Sequence, residues 1–127
     1  MAETRPDVEL RIPADGAFLS VLRTATAGLA ARLDFTLDDI EDLRIAVDEA
    51  CAVVLPQARP ESDLRCAFYL ASETLKVEVS AHCDSPRPPH RDGFAWTVLS
   101  ALTSSLEADV DGDMLTVKLS RTSGETG

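Results

Sequence analysis

The stretch Asp42-Leu43-Arg44-Ile45-Ala46-Val47-Asp48-Glu49-Ala50-Cys51 decides how this chain is read. Leu43, Ala46, Val47 and Ala50, with Ile40 before them and Val54 after, recur at the three-and-four spacing that lays apolar side chains along one stripe of a helix. Asp42, Arg44, Asp48 and Glu49 fall between them and form the polar flank. Upstream, Thr36-Leu37-Asp38-Asp39 is a start signal, with a hydroxyl at the cap and carboxylates at the positive end of the helix dipole. Downstream, Pro56 removes an amide donor and ends the helix.

Before this helix, Val8-Glu9-Leu10-Arg11-Ile12 alternates apolar and polar residues as a half-buried strand does, and Pro13 ends it. A first helix is expected from Asp15-Gly16 to about residue 33. Phe18, Val21, Leu22, Ala25, Leu29 and Leu33 are its apolar positions, and Gly28 either weakens the helix slightly or allows close packing against a neighbour. After Pro56 come a loop, strands at 64–70 and 75–81 joined by a hairpin-length turn, and a loop from Asp84 to Gly93 with Pro86, Pro88 and Pro89. A third helix is expected over 94–106, with Trp96, Val98, Leu99, Leu102 and Leu106 inward. A last hairpin follows at 106–110 and 114–119, turning at Asp111-Gly112-Asp113. The order β-α-α-β-β-α-β-β predicts an α/β sandwich of the α+β class: a mixed, mainly antiparallel sheet with three helices on one face. A single domain is expected over 7–120, with flexible ends at 1–6 and 121–127.

The 127 residues are 45% hydrophobic and 27% charged, enough for one core in a soluble chain. No apolar run is long enough to span a bilayer, and the polar start lacks the apolar segment of a secretory signal, so a cytoplasmic location without membrane contact is expected. A net charge of -10 opposes direct nucleic-acid binding, and it either favours a basic protein partner or merely keeps the chain soluble. Cys51, Cys66 and Cys83 are odd in number and lack metal-ligand spacing, so buried free thiols are expected and no metal site is. His82 and His90 pair with nothing at ligand spacing, and no serine sits in a nucleophile elbow.

The stretch Ala46-Val47-Asp48-Glu49-Ala50-Cys51, set in this element order, resembles the N-box helix of the RsbW/SpoIIAB-type anti-sigma factors, which have the GHKL (Bergerat) ATPase-like fold. Phe94-Ala95-Trp96-Thr97-Val98-Leu99-Ser100-Ala101-Leu102 is similar to the matching segment of some actinobacterial members. The resemblance covers about residues 7–120. It implies binding and sequestration of an alternative sigma factor, release by an anti-anti-sigma protein of the STAS type, and a homodimer. It makes Glu49 the candidate general base, Asp84 the candidate adenine contact, Gly93 the remnant of the glycine-rich lid and Arg23 a candidate partner contact. ATP and Mg²⁺ are the family's cofactors. Here Val53 stands where the family's magnesium-holding Asn would be, and the glycines after Asp84 are replaced by Ser85 and prolines. A side chain without oxygen holds no magnesium, and prolines donate no amide to a phosphate. A binder with a degenerate nucleotide site is therefore expected, with no metal held at Val53.

Other readings of the same residues stay open. If activity remains, it is that of a serine/threonine protein kinase. Glu49 also reads as a solvated helix carboxylate near Arg44 or Asp48, Asp84 as a turn residue before proline, Arg23 as a surface arginine and Trp96 as a core residue. A small acidic binding module unrelated to transcription would share this composition.

Overall fold

The computed structural model describes residues 5–124. Strand β1 (Val8–Pro13) leads through a short 3-10 turn at Gly16–Phe18 into helix α1 (Leu19–Arg32), followed by helix α2 (Leu37–Val54). Strands β2 (Asp63–Ala71) and β3 (Thr74–His82) form a hairpin. Helix α3 (Phe94–Leu102) precedes a second hairpin of β4 (Ser105–Asp111) and β5 (Met114–Thr122). The five-stranded sheet has the order β1-β2-β3-β5-β4.

Every neighbouring pair is antiparallel, which corrects the expectation of a mixed sheet. Two helices between β1 and β2 return the chain to the end where β1 stopped, so β2 runs back along it. A single helix between β3 and β4 gives those strands the same direction, but β5 lies between them and no parallel pair forms.

One sheet face carries the core. Phe68 faces Val77, which faces Leu119, and Cys66 faces Val79, which faces Val117; all six are buried. Helix α2 lies over β3 and β5 and sends Leu43, Ala46, Val47, Ala50, Cys51 and Val54 into this layer, as its periodicity dictated. Helices α1 and α3 flank α2, so all three share one face. The other face is polar, with ion pairs Arg65–Glu9, Lys76–Glu78 (3.4 Å) and Lys118–Asp109 (3.3 Å) and Lys76 5.2 Å above the Tyr69 ring. All three cysteines are free and buried; burial pushes the Cys66 thiol up to about 12 and raises Cys51 further. No helix among the described residues is long and apolar enough to cross a membrane.

The start of α2 is fixed more firmly than its cap alone would provide. Thr36 Oγ1 accepts from the Asp39 amide at 3.1 Å and donates to Asp39 Oδ2 at 3.0 Å. Arg121, from β5, gives Asp39 Oδ1 both Nε (3.2 Å) and Nη2 (2.9 Å), reaches Asp42 Oδ2 at 3.1 Å, and donates Nη1 to the Leu102 carbonyl at 2.8 Å. One guanidinium thus joins the end of the sheet, the start of α2 and the end of α3. This corrects the reading of residue 121 as the start of a flexible tail, since β5 runs to Thr122 and Arg121 is buried. The remaining expected flexible ends fall largely on residues 1–4 and 125–127, outside the described residues.

Other expectations shift. Helix α3 ends at Leu102 instead of continuing to Leu106. Thr103 is extended, its hydroxyl bonds the Leu99 carbonyl, and the Ser104 amide bonds Ser120, so the chain has already joined the sheet. Phe18 and Val21 are exposed, since α1 begins at Leu19 and turns Leu22, Thr26 and Ala30 inward. A methyl group placed on Gly28 would meet nothing within 4 Å, so this glycine makes no close approach inside the chain. Trp96 is half-buried under the Arg91 guanidinium, 4.5 Å from its ring centre.

Helix α1 closes with Asp34 in the left-handed region at φ 61°, the Phe35 amide on the Ala30 carbonyl (3.1 Å) and the Asp34 amide on Ala31 (3.0 Å). This Schellman closure favours glycine at that position. Asp34→Gly is therefore expected to raise stability by about 1 kcal/mol, read as a higher urea midpoint.

Candidate functional site

Glu49, Val53 and Gln57 fall four residues apart along α2 and the 3-10 turn Leu55–Gln57 that extends it, and so share a face. Glu49 is half-buried, and its carboxylate has no hydrogen bond or ion pair among the described residues. Two arginines of this region are engaged elsewhere: Arg44 with Glu41 at 3.1 Å and Arg23 with Asp48 at 2.8 Å. Val53 packs its side chain against the core. Its carbonyl accepts from Gln57 Nε2 at 3.2 Å.

Gln57 also holds the proline-rich loop. Its Nε2 donates to the Arg87 carbonyl at 3.0 Å, and its Oε1 accepts from the Arg87 amide at 2.8 Å. The amide side chain imitates a strand partner and binds both backbone groups of one residue. A second tether lies at the loop's start. Arg59 bonds Asp84 Oδ1 through Nε (2.9 Å) and Asp113 Oδ2 through Nη2 (2.9 Å), and His82 Nδ1 lies 3.0 Å from Asp113 Oδ1. His82 and Arg59 hold the Asp113 carboxyl below the ordinary range, the His82 hydrogen bond contributing most. At the loop's other end the Gly93 amide bonds the His90 carbonyl at 3.0 Å, and a Cβ on Gly93 would stand 3.2 Å from that oxygen. Gly93 then caps α3.

The fold therefore brings the Asp84–Gly93 loop to the end of the helix that carries Glu49 and Val53. Asp84 itself is largely exposed and turned toward Arg59. Arg23 lies on the other flank of α2, where its ion pair with Asp48 joins α1 to α2. It borders a 450 Å³ groove with Thr24, Ala27, Gly28 and Arg44. Sequence reading missed Gln57 and Arg59. Gln57 was findable as the next residue of the Glu49–Val53 series, whereas nothing local marks Arg59.

Losing the Gln57 side chain should free the loop without touching the core. Gln57→Leu is expected to cost about 1–3 kcal/mol and to speed hydrogen exchange at the Arg87 amide, measured by NMR.

No protein-family model matches the chain. Comparison with curated proteins is more informative. Over 105 residues, 83% of this chain, it is 34% identical to the anti-sigma-F factor RsbW of Mycobacterium tuberculosis. This chain is a relative of the RsbW anti-sigma factors. The serine-protein kinases RsbW of Bacillus cereus and Bacillus thuringiensis are also 34% identical, over 82 residues. The matched part spans 62% of the mycobacterial RsbW and 51% of the Bacillus RsbW proteins, so the chain covers half to three fifths of these relatives. The RsbW likeness agrees with the N-box-like reading of α2.

Proposed function

We propose that this chain is an anti-sigma factor that binds and sequesters an alternative sigma factor, is countered by an anti-anti-sigma protein of the STAS type, and has lost efficient phosphoryl transfer. The scaffold is read as GHKL-like. Its antiparallel sheet, the three helices on one face and the long α2 carrying Glu49 support that reading. The observation that carries the loss of chemistry is Val53. Phosphoryl transfer rests on a metal and on donors positioned around the phosphates. At Val53 the side chain is apolar, packs against the core and offers no oxygen, so the residue present does not fit Mg²⁺. The loop that would have to adapt to ATP is held by Gln57 and Arg59 and carries three prolines.

Sequestration then rests on buried surface, with Arg23 as a contact beside the α1–α2 groove. A homodimer is part of the proposal, and light scattering of the purified chain checks it. Pull-down from the native cytosol addresses the main claim. Recovery of a sigma subunit or a STAS-type protein supports it, and recovery of neither removes it. An active ATP-dependent serine kinase is the second reading. It is favoured by Glu49, a half-buried carboxylate whose oxygens are free among the described residues to accept a proton.

A further inference from the structure

Among the described residues strand β4 is at the end of the sheet and pairs only with β5. Asp111 and Met114 flank a tight turn in which Gly112 has φ 63°, the type II′ geometry, so they form a hydrogen-bonded pair. Alternation along an antiparallel ladder then directs the N–H and C=O groups of Leu106, Ala108 and Val110 to the open edge. Among the described residues no side chain or loop bonds to them.

The two faces beside that edge differ. On the helix side Ala108 borders a 470 Å³ cavity walled by Pro88, Pro89 and Trp96, and Val110 is 42% exposed. Arg87 and Arg91 also line this cavity, so it repels cations. On the other side Glu107, Asp109 and Asp111 are all exposed, and among the described residues only Asp109 forms an ion pair, with Lys118. An edge so charged repels a second copy of itself. We propose that β4 takes an extended segment of a partner protein as a sixth strand, one that alternates apolar residues, turned into the Trp96 cavity, with basic residues turned toward Glu107, Asp109 and Asp111. The edge supplies main-chain bonds, and the two faces fix which residues of the segment are apolar and which basic. This does not depend on the anti-sigma reading.

Trp96 is the chain's one tryptophan, so its fluorescence reports occupancy of the cavity. The probe is a capped seven-residue peptide alternating valine and lysine, with a control of the same composition in two blocks. The expected result is a saturable change in Trp96 emission with the alternating peptide and at least tenfold weaker binding of the control. Val110→Pro, which removes one edge amide, and the combined Glu107→Gln, Asp109→Asn, Asp111→Asn variant should each weaken binding at least tenfold. In the unaltered protein, bound peptide should slow hydrogen exchange at Leu106, Ala108 and Val110. Equal binding of both peptides, no binding at all, or edge amides already protected by self-association would each overturn the proposal.

Discussion

Arg121→Met is expected to cost about 3–5 kcal/mol, because it removes one partner of a buried ion pair and leaves the other behind. Asp39 would keep its bonds from Thr36 and Gly124 but face the interior without a cation, and the Leu102 carbonyl would lose its donor. A domain of this size has about 5–15 kcal/mol in total, so the urea midpoint should fall by about a fifth or more with little change in slope. Adding Asp39→Asn removes the stranded charge, so the double variant should lose less than the sum of the single changes. The same site sets a pH dependence. The Gly124 amide, first, and then hydrogen bonds from Arg121 and Thr36 hold the Asp39 carboxyl below the usual range, against the opposing effect of burial. A carboxylate depressed in the folded state gives stability that is fully present above its unfolded value, about 3.9, and is lost as pH falls through the folded value. Acid unfolding curves below about pH 4 should therefore be shallower in Asp39→Asn.

Phe68→Ala should cost about 3–5 kcal/mol for a different reason. Phe68 is fully buried at the centre of β2, faces Val77 across the ladder and is among the largest enclosed side chains. Truncation leaves a void in the core layer that a rigid antiparallel sheet closes poorly. Calorimetry should show a lower melting temperature with the Arg23–Asp48 surface unchanged. Phe68 sits in the apolar layer at mid-sheet and Arg121 in the polar junction at the end of β5, so their effects should add within about 0.5 kcal/mol.

Periodicity made most of this fold legible. The Leu43-Ala46-Val47-Ala50 stripe, the alternation in β2 and β3 and the Asp111-Gly112-Asp113 turn each specify an element from neighbouring residues alone. What stayed hidden joins distant residues. Asp39 reads as a helix-start carboxylate and Arg121 as part of the tail, because nothing near either one announces a partner 82 positions away. Gln57 and Arg87 are 30 positions apart, and the amide that fastens the loop looks like any polar residue after a helix. Leu106 fits both the helical spacing of α3 and the alternation of β4, and the serines paired with β5 settle which prevails. At the candidate site, the position of Glu49 and the apolar nature of Val53 could be read directly. The engagement of the Val53 carbonyl and the turn of Asp84 toward Arg59 depend on the fold.

The most direct measurement is phosphate transfer from radiolabelled Mg²⁺·ATP to a purified STAS-type partner. Incorporation is expected to be no greater than that given by Glu49→Ala. Rapid labelling of a partner serine that disappears in Glu49→Ala would contradict a binder that has lost its chemistry.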